Sequence, residues 1–323
     1  MNAILKTVTA AVVGLGMSSC LSPMENEVDK IWERDEALLK AYMESNNIEA
    51  TKTQVGYYYT KELENDGAPQ ITNNSIVGIY YRIKTLDGKI VDSHSPEDGD
   101  PLIFLHGEAG MVPRVLNFVA GLASEGEILN VYAPSHLAYG EYQYQQLILP
   151  NSNLDIRVEF ANVYTKEEVA EIEDQRIQQY LAQNSIEGFE KHESGAYIKV
   201  FEQGDADGKV VASGDRVTVN YKIYELSDPE HFGKGEAENG SFAYRVGVPD
   251  NLKFLDLSVK GFTTNTHLEI IAPSQLAYGA STQVIPHTIR EDLFKRELIL
   301  DRVRPFEPIR FNTTIKKVER NAD

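Results

Sequence analysis

Ala133–Gly140 reads APSHLAYG, and Ala272–Gly279 reads APSQLAYG, 139 residues further on and identical at seven of eight positions. That spacing exceeds any solenoid period and suits a duplicated globular domain. The duplication extends outward from the octapeptide. YMESNNIE at Tyr42–Glu49 matches YLAQNSIE at Tyr180–Glu187, and each ends an apolar pattern of helical spacing. Ile31, Leu38, Leu39, Tyr42 and Met43 form the first pattern; Val169, Ile172, Ile177, Tyr180 and Leu181 form the second. Thr165 with Glu168 three residues on is a capping-box start. The repeated unit thus includes a leading helix. Behind it, Ile79 to Ile83 and Val217 to Ile223 alternate with a period of two, as strands with one buried face do.

The N-terminus carries Lys6, an apolar run from Val8 to Met17, and Ser18-Ser19-Cys20, the pattern of a secretory signal ending at a cysteine. Cys20 is the single cysteine, so no intrachain disulfide forms. Its position resembles the lipobox of bacterial lipoproteins, in which the thiol is acylated after cleavage. The plainer alternative is a hydrophobic terminus with an incidental cysteine. With Leu21 rather than an aspartate next, the resemblance implies the outer membrane of a Gram-negative envelope. Several acyl chains would anchor the protein stably, at about 0.8 kcal/mol per buried methylene. A net charge of -18, from 49 acidic and 31 basic residues, excludes a nucleic-acid partner. The chain divides into a signal at 1–19, a tether and helix at 20–50, a domain at 51–165, a linker helix at 166–190 and a second domain at 191–320.

Several ordered segments then identify the family. Tyr81, LDGKIVDS at Leu86–Ser93, PLIFLHG at Pro101–Gly107, Gly121 to Glu127, LAYG, LPNSNL at Leu149–Leu154 and Val158-Glu159-Phe160 resemble FKBP-type peptidyl-prolyl isomerases in order and spacing. The second copy is similar through Tyr221, Phe232, FAYRVG at Phe242–Gly247 and LAYG. The resemblance implies an α+β fold, an antiparallel sheet bent around one short helix with the ligand between them. Pro113 to Leu122 and Leu252 to Phe262 would be those helices.

The resemblance also implies the reaction and its residues. Rotating an Xaa-Pro bond crosses a barrier of about 18–20 kcal/mol, because it breaks amide resonance. The twisted amide has a less dipolar carbonyl, so a dry pocket favours it over the planar form. No nucleophile, metal or cofactor is needed. In the first copy Tyr81 and Asp92 would form a polar rim, Phe104 and Leu102 one wall, and Met111 and Val112 the side beside the helix. Tyr139 would donate its hydroxyl toward a substrate carbonyl, with Ile148 and Ile156 closing the far side. Val91 stands where an aromatic is usual and Val115 where a floor tryptophan is usual, which implies a wider, less aromatic cavity. The second copy keeps Tyr221, Phe232, Phe242, Tyr244, Tyr278 and Phe311, but has Gly233 in place of the aspartate and Leu255 at the floor. Each residue also has a duller reading: Tyr81 and Tyr221 as core aromatics, Tyr139 and Tyr278 as backbone-bonding tyrosines beside a turn, Asp92 as a turn-former.

The copies differ behind LAYG. Gly140 is 23 residues from Val163, the end of the expected last strand, whereas the alternation Ile309, Phe311, Thr313, Ile315 begins 30 residues after Gly279. Thr288 with Glu291 suggests a capping box for an inserted helix near 288–300, with Ile289, Leu293, Phe294 and Leu298 on its apolar face. The expectation is a lid over the second pocket; docking on the first domain is the alternative. Another reading ends the fold at Glu297 to Val303 and leaves a tail. Two functions fit: a lipid-anchored isomerase acting on proline-containing or unfolded polypeptides outside the cytoplasm, or a catalytically degenerate chaperone or binding module. Self-association through the connecting helices is compatible with both.

Overall fold

The computed structural model describes residues 27–107, 110–236 and 240–320. The signal at 1–19, Cys20 and the first part of the tether lie outside the described residues. Among those described, no helix is long and apolar enough to cross a membrane.

Two sheets share one topology, and the architecture is α+β with two FKBP-like domains. In the first, Thr51–Lys52, Tyr58–Leu63, Ile128–Ala133, Leu154–Tyr164, Ile76–Thr85 and Ile90–His94 lie side by side, and Leu102–Leu105 pairs with Ile76–Thr85. In the second, Glu190–Lys191, Tyr197–Glu202, His267–Ala272, Ile309–Glu319, Arg216–Glu225 and Gly233–Gly235 follow the same order, with Phe242–Arg245 on Arg216–Glu225. Even the irregularities repeat: the ladder shifts at Gly78/Ile79 in one copy and at Thr218/Val219 in the other. The last strand is therefore Ile309–Glu319, as the alternation indicated.

Helix α1 (Glu27–Ser45) leads the first domain, α2 (Arg114–Ala120) packs inside its sheet, and α3 (Lys166–Gln183) leads the second. Within the second domain lie α4 (Lys253–Leu257) and α5 (Arg290–Lys295). Both α2 and α4 are shorter than the expected spans. The Thr165–Glu168 capping box forms in full. The expected box at Thr288 and Glu291 does not. Pro286 opens a 3-10 turn, His287–Ile289, that runs straight into α5, so Thr288 lies inside the turn and caps nothing. Glu291 pairs instead with Arg302 at 2.7 Å. Among the described residues two peptide bonds are cis, Val112–Pro113 and Ile285–Pro286.

The octapeptide is where each leading helix is pinned. Asp35 on α1 is fully buried, and its Oδ2 accepts from the Ser135 backbone N–H at 2.9 Å and the Ser135 hydroxyl at 2.5 Å. Glu173 on α3 does the same in the second copy, taking the Ser274 N–H at 2.6 Å and its hydroxyl at 2.5 Å. A buried carboxylate needs such donors, and charge-assisted bonds of this kind are the strong ones. Asp35 shares the inward face of α1 with Leu39 and Met43, which pack on Tyr58 and Tyr132, whereas Leu38 is exposed. Five residues past each serine, Gly140 and Gly279 reverse the chain at φ of +60° and +63°, and their N–H groups return to the Ser135 and Ser274 carbonyls at 2.8 and 2.9 Å. That left-handed backbone favours glycine, although a Cβ would meet no atom within 4 Å at either position.

Candidate functional site

Strand alternation delivers the first pocket. Ile79, Tyr81 and Ile83 point inward from Ile76–Thr85, and Phe104 joins them opposite Val77. Met111, Val115 at the head of α2, Tyr139 from the octapeptide, Ile148 and Ile156 complete one buried cluster, with Leu102 and Val112 packed against it. The structure thus gathers the residues proposed for the first copy. Val115 is fully buried and Val91 nearly so, where larger aromatics were noted as missing.

Asp92 lies on the strand Ile90–His94 opposite Ile83, not in a turn. The Tyr81 hydroxyl donates to its Oδ2 at 2.9 Å. Burial raises the Asp92 carboxyl above its ordinary value, against the Tyr81 bond and the nearby His287 and His94, which lower it. Burial likewise holds the Tyr81 and Tyr139 hydroxyls well above the usual tyrosine value, so both remain protonated donors at neutral pH.

The Tyr139 donor is already used. Its hydroxyl gives a 2.7 Å hydrogen bond to the backbone carbonyl of Ile285, a residue of the second domain's insertion. Gln283–Val284 runs parallel to Met111–Val112 as a short two-stranded ladder. The Gln283 N–H donates to the Gly110 carbonyl at 3.2 Å, and the Ile285 N–H to the Val112 carbonyl at 2.8 Å. Val284, Ile285, Ile289, Leu293 and Ile299 belong to the first domain's core, and Pro286 is buried beside them. Helix α5 adds an outer clasp, Tyr142 Oη to Asp292 Oδ2 at 2.7 Å.

This placement corrects the expected lid over the second pocket. The insertion covers the first domain, because its apolar residues find there both an apolar chamber and an unpaired strand edge. Leu298, expected on the buried face, is exposed past the end of α5, and Ile299 is buried instead. Buried Arg290 closes the insertion's base on itself, donating to the Thr282, Asp301 and Val303 carbonyls, and Val303 in the second core and the Arg304–Glu225 pair tie that base to its own domain. Burial lowers its guanidinium to about 10, still charged at neutral pH.

The second site is a ring cluster. Tyr221 stacks on Phe311 at 5.6 Å between centroids and Phe242 on Tyr244 at 5.2 Å, while Phe232 meets Tyr278 edge-on at 6.0 Å. Leu255 packs against the same core, and its carbonyl accepts the Tyr244 hydroxyl at 2.7 Å. By register Tyr244 occupies the place of Phe104, and Phe242, half exposed, that of Leu102. Gly233 faces Ile223 as Asp92 faces Ile83. A Cβ there would come 3.0 Å from Ile223 Cγ2, so this copy has neither the carboxylate nor free room for one.

Sequence reasoning missed Gln283, Val284, Ile285, Pro286 and Tyr142. The one available signal was an apolar Val-Ile-Pro run, flanked by polar residues, inside a loop too long for its counterpart.

The fold is a tandem of α+β domains, the first of which encloses an apolar chamber. Residues 67–161 and 208–298 each match the FKBP-type peptidyl-prolyl cis-trans isomerase family, and the chain belongs to it. No curated protein matches the sequence. Among solved structures the chain is similar to the three FKBP domains of wheat FKBP73, at 15% identity and TM-score 0.32, covering 83% of this chain and 97% of that one. It is similar also to FkpA from Escherichia coli (18%, TM-score 0.36, 48% of this chain and 63% of that one). A third is a peptidyl-prolyl cis-trans isomerase from Pseudomonas syringae pv. tomato (18%, TM-score 0.34, 49% of this chain and 100% of that one).

Proposed function

We propose that the chain is a peptidyl-prolyl cis-trans isomerase whose working centre is the first pocket. It assists the folding of extracytoplasmic proteins from a lipid anchor on Cys20, at the outer membrane of a Gram-negative envelope. The observation that supports the catalytic part is the Tyr139 hydroxyl, fully buried in an apolar chamber and bonded at 2.7 Å to the carbonyl that precedes a proline. A client's Xaa-Pro carbonyl takes that place. Phe104, Met111, Val115, Ile148 and Ile156 exclude water, so the twisted and less dipolar amide is favoured over the planar one. Leu102 and Val112 line the entry, and the Tyr81–Asp92 pair supplies a polar rim. No bond to the client is made or broken.

The second domain reads as a non-catalytic binding module. Its Tyr244 hydroxyl is spent on Leu255, and Gly233 leaves Tyr221 without a carboxylate partner. The test is the isomerisation rate of a short Ile-Pro peptide with the full chain. Tyr81→Phe or Tyr139→Phe should remove most of the acceleration, while Tyr221→Phe should leave it within a factor of about two. Equal loss from Tyr221→Phe would overturn the assignment to the first pocket.

A further inference from the structure

We propose that Gln283–Pro286 is a built-in occupant of the first pocket, through which the second domain holds the first one closed until a client displaces it. The proposal rests on the reading of that pocket as a proline-peptide site and adds its regulation and its substrate class.

The segment is held as an extended peptide is held. Backbone ladder bonds from its Gln283 and Ile285 N–H groups to the Gly110 and Val112 carbonyls secure it without regard to sequence, and buried side-chain places supply selectivity. The Gln283 amide Nε2 donates to the Ile103 carbonyl at 2.9 Å, and Val284 and Ile285 are almost completely buried. Simple packing between domains needs apolar area alone. Here the occupant also completes a strand edge and satisfies the buried Tyr139 hydroxyl with the carbonyl ahead of Pro286. The preferred client is therefore an extended chain with an aliphatic residue before proline and a second aliphatic residue before that.

The occupant can leave. It belongs to the loop between Gly279 and Ile309, and its two strand residues, Gln283 and Val284, pair only with Met111–Val112, outside both seven-stranded sheets. Alongside it a cavity of about 440 Å³ lies between the domains, lined by Tyr81, Asp92 and Leu102 on one side and Val284, His287 and Arg304 on the other. A client's flanking residues enter there. A tethered segment acts at an effective concentration on the order of millimolar. If its affinity in free form is micromolar, about one pocket in a thousand stands open, and apparent client affinity falls by that factor.

The experiment compares the full chain with two opened forms. Tyr142→Phe with Asp292→Asn removes the outer clasp while keeping the ring that packs against the first domain's core; Val284→Asp charges the buried segment. The probe is a fluorescent peptide of residues 283–288, QVIPHT, read by anisotropy, beside the isomerisation rate of an Ile-Pro peptide. Both opened forms should bind the probe at least about tenfold more tightly than wild type and turn over the peptide faster. Equal probe affinity in wild type and the clasp variant would overturn the proposal. Tighter binding without faster turnover would sustain the occupant and sink the isomerase reading. Rapid turnover in wild type, with neither turnover nor probe affinity raised in the opened forms, would do the reverse. Should Val284→Asp fail to fold, hydrogen exchange at the Ile285 amide decides with the clasp variant. Saturating QVIPHT must accelerate it in wild type, and no acceleration would count against displacement.

Discussion

The hydroxyl of Tyr139 reaches the backbone carbonyl of Ile285 across 2.7 Å, tying together residues 146 positions apart and belonging to different domains. The repeated octapeptide thus does two jobs in its first copy: Ser135 pins a helix of its own domain, and Tyr139 engages the other domain.

Tyr139→Phe leaves the Ile285 carbonyl buried without its donor. The expected cost is about 1–3 kcal/mol, the penalty for an unsatisfied buried acceptor. Urea unfolding of the full chain followed by far-UV circular dichroism measures it. A change under about 0.5 kcal/mol would mean that water replaces the hydroxyl.

Asp35→Ala removes both Ser135 bonds to its Oδ2, stranding the hydroxyl and leaving the N–H only the Asn153 Oδ1 acceptor at 3.1 Å. About 2 kcal/mol or more should be lost, since both are charge-assisted bonds in a buried place. Ser135→Ala, which keeps the N–H, should lose less. Proteolysis between α1 and the strand Tyr58–Leu63 should accelerate in the aspartate variant, and an unchanged cleavage rate would contradict the pinning role.

Glu173 titrates the equivalent clasp. Burial raises its carboxyl above the usual 4.5 by more than the Ser274 bonds lower it. The folded state therefore holds the proton more tightly than the unfolded one. Its contribution is full below 4.5 and is lost as pH rises through the folded value. Glu307 nearby is raised in the same direction, chiefly by burial, so the two are separated by mutation. Unfolding free energies of wild type minus Glu173→Gln should decline with rising pH above 4.5; a flat difference would show that Glu173 ionises without cost.

Cys20→Ala addresses the anchor. The variant should leave the membrane fraction or remain unprocessed, and should take up no labelled fatty acid. Equal labelling of wild type and variant would exclude acylation at this position.

Much was legible before any coordinates. The duplication, the leading helices and the strand carrying Tyr81 rest on local periodicity and on a pattern written twice, whereas the pocket set from Phe104 to Ile156 came from the resemblance to the FKBP family. The buried carboxylates escaped notice because Asp35 and Glu173 sit on helices among many exposed acids, and nothing in their spacing names Ser135 or Ser274 as partners. The capping box at Thr288 was legible but wrong. Pro286 sets the preceding turn, and a helix entered from a 3-10 turn has no free N-cap.

What the sequence by itself determined is the unit: an FKBP-type domain, made twice, with a full polar set in one copy and a depleted one in the other. Those features depend on residues close along the chain, or on pairings that each copy repeats. What only the tertiary structure decided is where the insertion goes. Ile285, Ile289 and Leu293 are apolar enough to cover either pocket, and transfer from water scarcely distinguishes one apolar surface from another. Direction came from the groups that hydrophobicity does not describe, the unpaired strand edge at Met111–Val112 and the buried hydroxyl of Tyr139, which hydrogen-bond only when the second domain stands where it does.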